Sequence, residues 1–130
     1  MAEIKVGDSK SIITTIEAKT VNDFINGFGD DNPLHWDEEY CKKTRFKKPI
    51  VHGAILIAII SRIIGTKLPG EGSILISQSF NYMNPVFVSD TVKVTVEVAT
   101  IQNRRVTLYH RVERFGETAL SGESVVLMPK

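Results

Sequence analysis

Residues 50–64 decide the fold, and they read I-V-H-G-A-I-L-I-A-I-I-S-R-I-I. This is the longest apolar stretch of the chain, but His52, Ser61 and Arg62 interrupt it. A membrane span needs about 20 apolar residues, so we expect no membrane partner. The spacing predicts one helix over residues 51–64 that is apolar on nearly all sides. Such a helix must be covered, and we expect another layer of structure to wrap around it.

Downstream of this helix, the hydrophobic period changes from helical to two, which is typical of strands. Residues 91–98 alternate polar and apolar side chains throughout, so one face of that strand is buried and the other meets water. The same pattern predicts strands over residues 74–82, 105–114 and 118–128. Their short connections favour an antiparallel meander. Residues 11–17 are expected to form a first strand or an extended arm.

Two shorter helices are predicted before the apolar one. The first begins at Thr20, with Asp23 close to a capping-box position. Its apolar stripe consists of Val21, Phe24, Ile25 and Phe28. The second covers residues 37–43. Helices followed by a run of strands indicate the α+β class, here a curled antiparallel sheet wrapped around one long apolar helix.

Length and charge narrow the class of protein further. A chain of 130 residues is expected to form a single domain over residues 1–130. Sixteen Lys+Arg against 15 Asp+Glu give a net charge of +1, which ranks nucleic acid last among partners. The lone Cys41 excludes an internal disulfide and favours a reducing, cytoplasmic location. The spacing of histidines and cysteine matches no metal-ligand pattern, so no metal is expected.

The densest polar cluster is residues 29–35, G-D-D-N-P-L-H. Pro33 restricts Asn32 to extended geometry, and such a stiffened turn can hold Asp30 and His35 on facing sides of one cleft. A carboxylate and an imidazole together can bind a water molecule and take its proton. Alternatively, Asp30 and Asp31 are turn formers and Asn32 caps the next segment. Spacing alone leaves both interpretations open.

A second cluster lies at residues 49–54, where a loop enters the apolar helix. Gly53 has no side chain, so a carbonyl oxygen can approach its N–H, and helix N-termini favour developing negative charge. We interpret Gly53 as a candidate oxyanion donor. Alternatively, Gly53 relieves packing against the sheet and His52 is a satisfied, partly buried histidine. Ser61 lies about two helical turns further on and can face the same side.

A basic run covers residues 42–48, and it contains Lys42, Lys43, Arg45, Lys47 and Lys48. These bases, Lys47 and Lys48 above all, are candidate contacts for carrier phosphates or for an acidic acyl-carrier protein. Alternatively, they form a solvated face that complements a helix C-terminus. On the third strand, His110 alternates with apolar residues, so we expect a packed or interface histidine.

Two of these blocks together carry a family resemblance. The D-x-N-P-L-H block at residues 30–35 and the I-V-H-G block at residues 50–53 resemble the MaoC-like hot-dog hydratases, above all the (R)-specific enoyl-CoA hydratases. The resemblance extends from about residue 20 to the end of the chain. The sequence departs from the family pattern at Phe28, where many relatives have Ser or Thr.

The resemblance implies a role for each site residue. It implies that Asp30 and His35 are catalytic and that the N–H of Gly53 holds the thioester carbonyl. Ser61 falls on a serine near the active site, and Asn32 and Pro33 fall on the supporting turn. The implied assembly is a homodimer.

The implied reaction is reversible hydration of trans-2-enoyl-CoA to (R)-3-hydroxyacyl-CoA. Coenzyme A belongs to the substrate, so no cofactor is expected. Three alternatives remain open. They are a 3-hydroxyacyl-acyl-carrier-protein dehydratase, a non-catalytic acyl-thioester-binding protein and a hot-dog thioesterase.

Overall fold

The computed structural model describes residues 3–130, in which five strands form one antiparallel sheet. The strands are β1 (Ser9–Thr15), β2 (Ile74–Tyr82), β3 (Thr91–Gln102), β4 (Arg105–Arg114) and β5 (Glu117–Leu127). The helices are α1 (Ala18–Phe28), α2 (Glu38–Lys42) and α3 (Gly53–Thr66), with a 3-10 turn at Pro33–His35. The predicted bounds of β2 and β4 agree with these to the residue.

The strand order in the sheet is β1-β3-β4-β5-β2. Strands β3, β4 and β5 form the predicted meander, because short hairpins join them. The prediction that β2 continues this meander is wrong, since β2 pairs with β5 at the far edge. Residues 83–90 separate β2 from β3, and this link is long enough to carry the chain across the sheet.

The core lies between the inner face of the sheet and one side of α3. The helix buries Ile55, Leu56, Ile60, Ile63 and Ile64. The sheet buries alternate residues of β3 and β4, as the alternation of polar and apolar residues predicts. These buried residues include Val92, Val94, Val96, Val98, Val106, Leu108 and Val112. His110 is buried in the same row, so it is a packed histidine as predicted.

The predicted sheet covers one side of α3, and the opposite side of the helix is exposed among the described residues. Ala54, Ala58, Ser61 and Arg62 are exposed, because a single sheet contacts only one side of a helix. No helix among residues 3–130 combines the length and the apolar character that crossing a bilayer requires.

Both long helices begin at other residues than predicted. Helix α1 begins at Ala18 rather than Thr20, with Glu17 as its N-cap residue, and the side chain of Glu17 makes no capping bond. Gly29 ends the helix in the left-handed region with φ 78°, as a glycine C-cap does. Along the apolar stripe of this helix, Val21 is buried whereas Phe28 is 79% exposed.

Helix α3 begins at Gly53, because the residues before it are held by strand-like bonds. The N–H of Val51 donates to the carbonyl of Val86 at 2.7 Å, and Ile50 forms an isolated bridge with Phe87. These bonds keep Ile50 and Val51 extended. They also bring the start of α3 beside the link between β2 and β3.

Candidate active site

The turn at residues 29–35 is built by its own polar groups. Asn32 caps the 3-10 turn, since its Oδ1 accepts a hydrogen bond from the N–H of Leu34 at 3.2 Å. Pro33 occupies the first position of that turn, where its fixed φ is favourable. The N–H of His35 donates to the carbonyl of Asn32 at 3.0 Å. Asn32 therefore caps this turn, and a supporting role of Asn32 and Pro33 in catalysis stays a prediction.

The imidazole of His35 has a defined tautomer in its neutral form. Its Nδ1 lies 2.7 Å from the carbonyl oxygen of Ile50, and a carbonyl oxygen only accepts, so Nδ1 carries the proton. The Nε2 atom is then an unprotonated acceptor. Burial lowers the pKa of His35, although the Ile50 carbonyl and the Asp30 carboxylate raise it. A neutral imidazole with a free Nε2 can act as a general base.

Asp30 and His52 lie next to His35 in the folded chain. The Nε2–H of His52 donates to the backbone carbonyl of Asp30 at 2.9 Å. The rings of His35 and His52 stack with centroids 3.7 Å apart and planes at 24°. One polar atom from each of the three side chains lies within 4.8 Å of the others. The structure therefore brings together Asp30 and His35, which spacing had only suggested.

His52 was missed as a member of this cluster. The sequence feature that could have pointed to His52 is its position directly before a glycine at a helix start. Sequence spacing does not show that its ring contacts His35. A carboxylate and two imidazoles also suit divalent transition metals. The expected absence of a metal stays a prediction.

A cavity of about 470 Å³ opens beside His35. Gly53 lies in its wall, and Arg45, Tyr82 and Asn84 also line it. A second cavity of about 410 Å³ is also lined by His35, together with Trp36 and Lys48. His35 thus faces two spaces, and the larger one contains the predicted oxyanion donor.

Gly53 is the first residue of α3, so its N–H belongs to the four that have no partner within the helix. The ring of Tyr82 lies directly over it. A Cβ added to Gly53 would lie 2.5 Å from Cε1 and 2.8 Å from the hydroxyl oxygen of Tyr82. Any side chain at this position would require the Tyr82 ring to move. The sequence pattern did not single out Tyr82.

Ser61 does not line either of these two cavities. It lies on α3, where a separation of eight residues turns it about 80° away from Gly53, and its side chain is exposed. A role for Ser61 in the site stays a prediction.

All five bases of the run at residues 42–48 are exposed. Lys42 pairs with Glu39 at 2.8 Å on the surface, as the solvated interpretation expects. Arg45 lines the larger cavity and Lys48 lines the smaller one, whereas Lys47 lines neither. The run is therefore beside the site, but its members face different spaces.

The family model for the MaoC like domain matches residues 3–118. The chain belongs to the MaoC-like family. A MaoC-like relative of Aeromonas caviae, named (R)-specific enoyl-CoA hydratase, is 37% identical over 129 residues, which are 97% of this chain and 96% of the relative. A second relative, 3-hydroxybutyryl-CoA dehydratase of Methylorubrum extorquens, is 36% identical over 130 residues, which are 98% of this chain and 83% of the relative.

Among solved structures, the (R)-hydratase of Aeromonas caviae superposes with a TM-score of 0.94 at 36% identity, covering 99% of this chain and 100% of that chain. These similarities confirm the predicted MaoC-like resemblance. They also confirm the predicted α+β class, a hot-dog arrangement of one antiparallel sheet packed on one long helix.

Proposed function

We propose that this MaoC-like chain catalyses the reversible hydration of trans-2-enoyl-CoA to (R)-3-hydroxyacyl-CoA. One observation carries the proposal: the Asp30 carboxylate lies close to the imidazole of His35, whose Nε2 is unprotonated, and His35 lines the same cavity as Gly53. The names of the relatives from Aeromonas caviae and Methylorubrum extorquens support acyl-CoA thioesters as the substrate class. The name of the Aeromonas caviae relative, (R)-specific enoyl-CoA hydratase, also supports the stereochemistry.

The reaction uses these groups in turn. Asp30 and His35 hold one water molecule, and the Nε2 of His35 takes a proton as the water oxygen bonds to C3 of the substrate. Electrons of the C2–C3 double bond move towards the thioester carbonyl, and the N–H of Gly53 stabilises the negative oxygen. The imidazolium of His35 then returns its proton to C2. Water is thereby added across the double bond, and every step is reversible.

The decisive experiment mixes the purified chain with crotonyl-CoA and follows the absorbance of the conjugated enoyl thioester. Hydration removes this absorbance without releasing free thiol, and chromatography on a chiral phase identifies the (R)-3-hydroxybutyryl product. Release of free thiol indicates a thioesterase instead. Tight binding of crotonyl-CoA without turnover indicates a non-catalytic thioester-binding protein.

The carrier is the main alternative within the same chemistry. The exposed basic run beside the site also suits an acidic acyl-carrier protein, and the chain would then be a 3-hydroxyacyl-acyl-carrier-protein dehydratase. The ratio of kcat/KM for the same acyl group on the two carriers separates these functions. We propose coenzyme A, in agreement with the names of the relatives.

The basic run offers a test of carrier binding. If Lys47 and Lys48 contact carrier phosphates, the double variant Lys47→Ala/Lys48→Ala should raise KM for crotonyl-CoA several-fold and leave kcat unchanged. The effect should shrink as salt rises, because exposed charges are screened beyond about 8 Å at physiological ionic strength. A crotonyl thioester without the nucleotide is the control. Equal losses on both substrates, or no loss on either, would show that these lysines do not contact the carrier.

Gly53→Ala should lower kcat/KM for crotonyl-CoA about tenfold, less than the complete loss of an oxyanion donor. The new methyl group collides with the Tyr82 ring and crowds the approach to the N–H. Steady-state kinetics of Gly53→Ala and of Gly53→Ala/Tyr82→Ala check this prediction. The double variant should stay impaired if crowding of the N–H is the cause. Full recovery would instead mean that displacement of the Tyr82 ring causes the loss.

We further propose a homodimer with two-fold symmetry, formed through the free edge of β2. Three consecutive apolar residues of this edge strand are exposed, namely Ile74 at 59%, Leu75 at 49% and Ile76 at 46%. An apolar edge without protecting charges favours pairing with a second strand.

The double variant Ile74→Lys/Ile76→Lys should therefore be monomeric. Light scattering at micromolar concentration should give a mass near 14.5 kDa for this variant and about twice that value for the wild type. Phe115→Lys is the matched control, because Phe115 is 85% exposed but lies in the β4–β5 hairpin. A monomeric wild type that hydrates crotonyl-CoA would refute the dimer.

The same proposal treats residues 1–130 as one catalytic domain in the cytoplasm. Coenzyme A enters only as part of the substrate, and the proton transfers use side chains of this chain, so no separate cofactor is required. The thiol of Cys41 is buried and contacts the carbonyl of Leu34 at 3.3 Å, which suits a reduced cysteine.

A further inference from the structure

His52 connects the separate parts of the candidate site. Its Nε2–H donates to the backbone carbonyl of Asp30 at 2.9 Å, and its ring stacks on His35. It is also the N-cap residue of α3 and directly precedes Gly53. One side chain therefore contacts both members of the acid–base pair and belongs to the segment that places the oxyanion donor.

The protonation of His52 suits a fixed structural group rather than a second base. A carbonyl oxygen only accepts, so Nε2 carries the proton, and the neutral ring leaves Nδ1 unprotonated. That Nδ1 atom is buried and has no hydrogen-bond partner. His52 is 2% exposed and does not line the larger cavity, so it is not placed to contact the substrate there.

We propose that His52 is a positioning residue for the hydration, and this inference rests on the proposed function. Its hydrogen bond fixes the backbone of Asp30, and its ring supports the plane of His35. Asp30 lies in the irregular segment between α1 and the 3-10 turn, so this bond restrains a part of the chain that no helix or strand holds. A misplacement of about 1 Å at a reacting group can lower the rate about 100-fold.

Two variants of equal length isolate the hydrogen bond. In His52→Gln the amide N–H can reach the Asp30 carbonyl, whereas His52→Met fills a similar volume without a donor. Both lose the stacked ring. We expect His52→Met to lower kcat on crotonyl-CoA by about 10- to 100-fold, with KM within about threefold of the wild type. We expect kcat of His52→Gln to exceed that of His52→Met at least fivefold.

His110 supplies a matched control. It is 3% exposed, its Nε2 lies 2.9 Å from Oγ of Ser124, and its Nδ1 is also buried without a partner. His110→Gln and His110→Met therefore make the same chemical changes at a buried histidine away from the site. Thermal unfolding of all four variants measures stability, and kcat of the folded His110 variants should stay within about threefold of the wild type.

The outcomes separate this inference from the function on which it rests. A wild type that does not hydrate crotonyl-CoA contradicts the proposed function. An active wild type whose His52→Gln and His52→Met variants have equal kcat contradicts the role of the hydrogen bond, and so does a rise in KM at unchanged kcat. If His52→Met does not fold, His52→Asn takes its place, because its shorter amide leaves the Asp30 carbonyl unpaired.

Discussion

Asp30→Asn and His35→Ala are each expected to lower kcat for crotonyl-CoA about 100-fold or more, as loss of a general acid or base typically does. Neither change should unfold the chain, because the Asp30 side chain is exposed and His35 is only half-buried. Asp31→Asn is the matched control. Asp31 makes its hydrogen bonds through the backbone: its N–H donates to the carbonyl of Gly29, and its carbonyl accepts from the indole N–H of Trp36. Equal, small effects at all three positions would refute the assignment.

The pH profile of kcat/KM gives a second measurement on the same pair. Burial lowers the pKa of His35, so activity should persist below the pH at which an ordinary histidine titrates and then fall as Nε2 takes a proton. The Asp30 carboxylate raises the pKa of His35, whereas His52 lowers it. Residual activity of Asp30→Asn should therefore have its acid limb at lower pH than the wild type. A limb that moves to higher pH would contradict this arrangement.

Gly122→Ala is expected to destabilise the fold by about 3 kcal/mol, at the upper end of the usual cost of overpacking. A Cβ at Gly122 would lie 1.9 Å from the backbone oxygen of Ser79 on the neighbouring strand β2. It would also lie 3.1 Å from Cε1 of His110. Backbone cannot move aside as a side chain does, so β2 must separate from β5.

Urea unfolding of Gly122→Ala beside Gly65→Ala checks this prediction. Gly65 lies in the last turn of α3 with open space around it, so alanine there should be neutral or stabilising by up to about 1 kcal/mol. Equal stability of the two variants would mean that β2 and β5 do not approach as closely as the sheet register indicates. Because β2 also carries Tyr82, we expect Gly122→Ala to reduce activity even where it folds.

Much of the local structure could be predicted because it depends on neighbours along the chain. Period two located β2 and β4, since alternate side chains of a strand point to opposite faces. The apolar run located α3 to within two residues at each end. Its start was predicted two residues early because bonds from Ile50 and Val51 to the link after β2 are not visible in a local pattern.

By itself, the sequence determined the fold class and the residue types of the site: a carboxylate and an imidazole on one stiffened turn, and a glycine at a helix start. Only the tertiary structure decided that β2 pairs with β5, that Tyr82 covers Gly53 and that His52 lies against His35. It also showed that Ser61 lines neither of the two cavities beside His35. Strand order and side-chain contacts join residues far apart in the chain, and their geometry is set by how all the layers pack together. The local hydrophobic periodicity of the sequence does not predict these long-range contacts.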